Sequence, residues 1–155
     1  MSLLPLTLTP PEGSTAVVVG GGSVAERKVR ALLAGGLQVW VVAPAITPGL
    51  QARVAAGRVR WLARSYTPGD LAQAWLACAA TDARAVNRAV AAEARERGIW
   101  VNVVDCPTEG TVRFPAVHRA GDVVVAVSTL EGRPRRAQAV RDRIAAIFPL
   151  VVGEI

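Results

Sequence analysis

The chain has 155 residues, 52% hydrophobic and 19% charged, with a mean hydropathy of +0.34 and a formal net charge of +6. That length supports one domain with a proper core and a short extension, and its apolar runs are strand-sized, broken by Gly, Pro or Arg, so none should span a bilayer. The stretch from Met1 to Pro11 has no basic residue and does not read as a secretory leader, and Cys78 and Cys106 form no C-x-x-C pair, which together argue against a disulfide framework and for a cytoplasmic protein.

Thr15 to Val19 reads as a first strand, and Val24 to Ala34 as a helix with Ala25, Val29, Leu32 and Leu33 on one face, ended by Gly35-Gly36. Leu37 to Val42 is a second strand, stopped by Ala43-Pro44, and Thr47-Pro48 supplies the N-cap and first position of a short helix to Ala56. Arg58 to Ala63 is a third strand, followed by a turn at Tyr66 to Asp70 and a short helical stretch. Trp75 to Ala79 is a fourth strand. Thr81 or Asp82 is expected to cap an Ala-rich helix reaching Arg97, with Ala83, Val86, Val90 and Ala94 facing inward. Ile99 to Val104 is a fifth strand that delivers Asp105 to its carboxyl end.

Beyond Pro107 the pattern changes. Thr111 to Phe114 and Asp122 to Ser128 read as two antiparallel strands separated by a turn at Ala120-Gly121, and Pro134 starts a helix to about Phe148 that should bury Ala137, Val140, Ile144 and Ile147. Trp40, Trp61, Trp75 and Trp100 fall in or beside strands, which favours core packing. This alternation predicts an α/β protein: a Rossmann-like parallel sheet with helices on both faces over residues 1–107, then a short β/α extension over 108–155 used in dimerisation.

The chemistry is concentrated at the first turn. Val17-Val18-Val19-Gly20-Gly21-Gly22-Ser23-Val24-Ala25 places Gly20, Gly22 and Ala25 in a G-x-G-x-x-A spacing between a strand and a helix. Such a loop turns tightly at its first glycine, lets a pyrophosphate approach the backbone at its second, and offers the N–H groups and dipole of the helix start to the phosphates. Asp105 should lie in the same crevice, where a carboxylate can accept a proton, although an aspartate before Pro107 also suits a turn. His118 is the only histidine, so no metal site is expected. The charge comes from 17 arginines and one lysine, Lys28, which suits a partner with many carboxylates or phosphates or else reflects solvated side chains; nucleic acid fits less well, because aromatic residues do not interleave with the basic ones.

In order along the chain, Gly20-Gly21-Gly22-Ser23-Val24-Ala25-Glu26-Arg27-Lys28, Ala80-Thr81-Asp82, Asn102-Val103-Val104-Asp105, Phe114-Pro115-Ala116 and Val125-Ala126-Val127-Ser128-Thr129 resemble the precorrin-2 dehydrogenase family, the NAD-binding part of siroheme synthase. The resemblance implies NAD-dependent oxidation of precorrin-2 to sirohydrochlorin by a homodimer, with iron insertion in some members. It places the catalytic aspartate at Asp105. Cofactor contacts fall on Gly20, Gly21, Gly22, Ser23, Val24, Pro44, Ala45, Thr81 and Asp82, and candidate substrate contacts on Asn102, Arg113, Ser128, Thr129 and Arg133.

The pattern departs from the family in four places. Ala43-Pro44-Ala45 offers neither an acid for a ribose hydroxyl nor an arginine for a 2′-phosphate, so the preference for NAD is inherited from the resemblance. Leu130-Glu131 stands where members carry glycines, and Thr111-Val112 replaces a serine-phenylalanine pair. The C-terminal helical domain of many members is not expected in a sequence that runs to Ile155. A rival reading is therefore a non-catalytic sensor or carrier that binds a dinucleotide or tetrapyrrole.

Overall fold

Short runs of valine and alanine build a parallel sheet in the computed structural model, which describes residues 3–152. Strands β1 (Thr15–Val19), β2 (Gln38–Val42), β3 (Val59–Leu62), β4 (Ala74–Ala79) and β5 (Trp100–Val103) form one parallel sheet in the order β3-β2-β1-β4-β5. Helices α1 (Ser23–Ala34), α2 (Pro48–Ala55) and α3 (Arg84–Glu96) connect β1 to β2, β2 to β3 and β4 to β5. The chain steps outward from β1 to β3 and then returns to lay β4 against the other side of β1. That reversal opens a crevice at the carboxyl ends of β1 and β4, the place where ligands of such sheets bind.

Both sheet faces are apolar because parallel sheets are covered on both sides. Val17, Val19, Val42, Ala77, Ala79, Val101 and Val103 pack with Val90, Ala91 and Ala94 of α3 and with Leu71. The alternate residues Ala16, Val18, Val39 and Val41 are buried as well, as are Ala25, Val29 and Leu32 of α1 and Leu50 of α2. This is the expected Rossmann-like arrangement, and the strands lie within about two residues of their sequence positions.

The helical stretch expected after Tyr66 is instead a run of turns, held by a carboxylate from α3. Glu93 accepts hydrogen bonds from Tyr66 Oη (2.5 Å), Gly69 N (3.0 Å), Leu71 N (3.3 Å) and Arg97 Nε (2.9 Å). Helix α3 starts at Arg84 with exposed Ala83 as its N-cap, so Ala83 does not face inward, and Asn87 and Glu93 are the polar residues it buries. None of the four tryptophans is fully buried; Trp100 is 39% exposed and Trp40 stacks under the Arg60 guanidinium at 4.3 Å.

Residues Leu8–Arg113 form one compact unit, which contains the sheet, and Phe114 onward with the residues before Leu8 forms another. In the second unit, β6 (Ala116–Ala120) and β7 (Val123–Val127) make an antiparallel hairpin, turning through Gly121 at φ +57°, and α4 (Pro134–Val152) packs on it. The first of these strands therefore starts after Pro115, and not at Thr111. Thr111 N and Val112 N both donate to Val101 O, which makes that segment a strap on the edge of β5. Along α4, Ala137 is buried and Ile144 half-buried, whereas Val140 and Ile147 are 40% and 55% exposed, contrary to the expected inward stripe. The side chain of Phe148 lies outside the described residues. No helix among the described residues is long and apolar enough to cross a membrane.

Candidate active site

The loop after β1 is clasped between the ends of its two neighbouring strands. Gly20 N donates to Val42 O at 2.9 Å, Ala80 N to Val19 O at 2.8 Å and Thr47 N to Gly21 O at 3.0 Å. The three glycines serve different purposes there. A Cβ on Gly20, whose φ is +121°, would collide with the Ala80 carbonyl, and one on Gly21 would collide with the Ala45 carbonyl. Gly22 has an ordinary φ of −81°, and a Cβ there would meet nothing within 4 Å. The first two glycines are needed by the fold, and the third keeps open space in front of the loop.

Gly22 is also the N-cap of α1, and no side chain caps that helix. Helix α2 differs, since Thr47 Oγ1 accepts from Leu50 N at 3.3 Å. The acid in the first turn of α1, Glu26, is drawn away toward α2: it accepts from Thr47 Oγ1 at 2.6 Å, pairs with Arg53 Nη1 at 3.5 Å, and packs where a Cβ on Gly49 would stand. The N–H groups of Ser23, Val24 and Ala25 thus have neither an intrahelical nor a side-chain acceptor, and the helix dipole adds a positive field there. This end, with open space at Gly22, fits the pyrophosphate of NAD or NADP.

On the β2 side, Pro44 and Ala45 are exposed, and Trp61 Nε1 pins the corner by donating to Ala43 O at 2.8 Å. On the β4 side, Thr81 is locked by Asn87, which is fully buried: Thr81 N and Oγ1 donate to Asn87 Oδ1 at 3.1 and 2.8 Å, and Asn87 Nδ2 donates back to Thr81 O at 2.9 Å. Asp82 is exposed beside it. Sequence reading missed Asn87, whose only signal is an amide placed six residues after the threonine on the buried face of a helix.

Asp105 follows β5 on the same rim, at an exposed turn positioned by Val104 N donating to Ala79 O at 3.1 Å. Its Oδ2 faces Arg84 Nη1 at 3.8 Å. The Arg84 guanidinium also bonds Glu109 Oε1, and that hydrogen bond, with the nearby charges of Glu109 and Asp105, outweighs desolvation and raises its pKa further. Asn102 is buried, and its Nδ2 donates to Val112 O at 3.0 Å, so its amide supports the strap at 111–112. Arg113 is half-buried at the end of that strap.

The remaining candidates belong to the second unit. Ser128 is exposed, Thr129 Oγ1 accepts from Arg133 N at 2.7 Å, and Arg133 pairs with Glu131 at 2.6 Å. No group of three or more His, Cys, Asp or Glu side chains among the described residues could hold a metal ion.

Comparison with known proteins bears on this site. The family described as "putative NAD(P)-binding" matches residues 8–116. Siroheme synthase 1 of Aeromonas salmonicida is 39% identical over 139 residues, and siroheme synthase of Methylobacillus flagellatus is 42% identical over 139 residues; each match covers 90% of this chain and 30% of the relative. The chain thus spans under a third of the length of these curated relatives. The solved structure of SirC, precorrin-2 dehydrogenase, superposes with a TM-score of 0.81 at 25% identity, covering 93% of this chain and 70% of that one. Because the family match runs through all five strands, the glycine loop and the Asp105 turn, this chain belongs to that NAD(P)-binding family.

Proposed function

We propose that this chain binds NAD and oxidises precorrin-2 to sirohydrochlorin, with Asp105 as the proton acceptor. The observation that carries the reading is the shared rim: the uncapped start of α1 with open space at Gly22, the Thr81-Asp82 turn and the exposed Asp105 carboxylate follow the carboxyl ends of β1, β4 and β5. The siroheme synthase relatives and the precorrin-2 dehydrogenase neighbour support the substrate class.

NAD, when bound, supplies the hydride acceptor. Gly20, Gly21, Gly22, Ser23 and Val24 hold the pyrophosphate, and Pro44, Ala45, Thr81 and Asp82 line the cofactor on either side. Oxidation of precorrin-2 would remove a hydride, for which bound NAD would be the acceptor, and a proton, which an Asp105 carboxylate oxygen would accept. Asp105 then releases that proton to water, which its exposure permits. Arg113 is a proposed contact for a substrate carboxylate, and Ser128, Thr129 and Arg133 are proposed separately from the family resemblance, each testable by its own substitution. Asn102 acts on Arg113 through the strap it supports.

The second unit is the proposed dimer contact, supported by its exposed Val123 and Val124 on β7; a monomeric mass at micromolar concentration would count against it. Two free cysteines suit a cytoplasmic setting. The deciding experiment is anaerobic NADH formation from NAD and enzymatically generated precorrin-2. Asp105→Asn should lower kcat by about 100-fold or more while NAD binding persists. Retained turnover refutes the role of Asp105, and no turnover in the native chain with NAD bound favours the non-catalytic binding module.

A further inference from the structure

We infer that Arg84 is a positioning residue for Asp105, an inference that rests on the reading of Asp105 as the proton acceptor. Arg84 is the first residue of α3, where a cation opposes the helix dipole and is unfavourable unless carboxylates compensate it. Two do. Glu109 Oε1 binds Nη2, and Asp105 Oδ2 stands 3.8 Å from Nη1.

The second distance is the informative one. At 3.8 Å the guanidinium attracts the Asp105 carboxylate without a hydrogen bond to it, so the lone pairs that must accept a proton are not consumed. Nη1 is buried and has no hydrogen-bond partner, as does Glu109 Oε2. A freely rotating arginine would close on Asp105 to satisfy Nη1; Glu109 prevents this by holding the other side of the fork. Glu109 is itself fixed, because Arg95 Nη2 donates to its backbone carbonyl at 2.8 Å from the same helix. The short 3₁₀ turn Pro107–Glu109 and α3 therefore form a bracket that sets the height of Asp105 above the rim. The arrangement holds the Asp105 carboxylate near a fixed cation and leaves its oxygens available.

The test compares Arg84→Gln, Arg84→Lys, Glu109→Gln, Asp105→Asn and the Arg84→Gln/Asp105→Asn double variant, measuring kcat, KM for precorrin-2 and NAD affinity by titration. Arg84→Gln should lower kcat by about fivefold, with KM and NAD affinity within about twofold of the native values, and Arg84→Lys should recover most of the loss. In the Asp105→Asn background the Arg84→Gln change should have no further effect, because the group it serves is gone.

Native kcat in Arg84→Gln, or the same fivefold loss with and without Asp105, overturns the inference while the role of Asp105 stands. Full turnover in Asp105→Asn overturns both. If Arg84→Gln fails to fold, Glu109→Gln decides: a lowered kcat upholds the bracket, and an unchanged one removes it.

Discussion

Gly22→Ala separates cofactor binding from folding. The φ of −81° at Gly22 suits alanine, and the added methyl would meet no atom within 4 Å, so the folded chain accepts it without rearrangement. Alanine at an N-cap costs roughly 0.5 to 1 kcal/mol relative to glycine, and the reduced freedom of the unfolded chain returns about 0.4 to 1 kcal/mol. The two nearly cancel, and Tm should move by no more than about 2 °C. Binding should respond differently, because the methyl would stand where the pyrophosphate meets the first N–H groups of α1. Losing one charge-assisted hydrogen bond there costs about 1.5 to 3 kcal/mol, a fall in NAD affinity of roughly 10- to 100-fold. Isothermal titration with NAD and a thermal melt on the same sample measure both. Gly20→Ala is the contrasting variant: with φ at +121° and the Ala80 carbonyl in the way, it should fail to fold. A Gly22→Ala protein that melts normally and binds NAD as tightly as the native chain would refute the placement of the pyrophosphate.

Other substitutions probe the supports. Thr47→Ala removes both the cap of α2 and the hydroxyl that holds Glu26, and should cost about 1 to 2 kcal/mol in urea unfolding, most of it restored by Thr47→Ser. Glu93→Gln leaves one acceptor oxygen for four donors, turns an NH2 toward either the Tyr66 and Gly69 pair or the Leu71 and Arg97 pair, and should cost about 2 to 3 kcal/mol at neutral pH. Burial works against the Glu93 charge, but the bonds from Tyr66, Gly69, Leu71 and Arg97 outweigh it and hold its pKa below the ordinary 4.5. Its contribution is therefore complete above the unfolded pKa and is lost as pH falls through the lower folded one; the gap between native and variant should shrink in acid, and an unchanged gap would contradict the assignment. Burial pushes the Cys78 thiol up to about 12, so in the native protein a disulfide reagent should label half-buried Cys106 and spare Cys78 until urea is added.

The strands were legible because burial on both faces writes itself as uninterrupted apolar runs. Val17-Val18-Val19 and Ala77-Cys78-Ala79 admit few other readings once glycine and threonine punctuate their ends. The expected strand at Thr111 to Phe114 illustrates the limit. Its residues have strand character, but Asn102 and Val101 from another element claim Val112 O, Thr111 N and Val112 N, and Pro115 can give no amide hydrogen to a ladder. On α4 the period was correct and the burial was not: a two-stranded hairpin covers too little of a nineteen-residue helix to bury Val140 and Ile147 as well as Ala137.

At the site, glycine positions were legible because backbone geometry admits few substitutes, whereas paired charges leave little local trace. Glu26 and Thr47 are 21 residues apart, and Arg84 and Glu109 are 25 apart. Each pair nevertheless has a sign that dipole reasoning could find. An acid in the first turn of α1 should compete with a bound anion for the helix end, so its presence beside a phosphate loop requires another cation or donor to take it; Thr47 and Arg53 do. An arginine opening α3 requires nearby acids in turn, and the acids within reach include the one assigned the proton. The two helix starts thus handle opposite charges by the same device: each hands its charged first-turn side chain to a neighbouring element. At α1 this leaves a positive end free for an anion, and at α3 it brings a fixed cation beside Asp105.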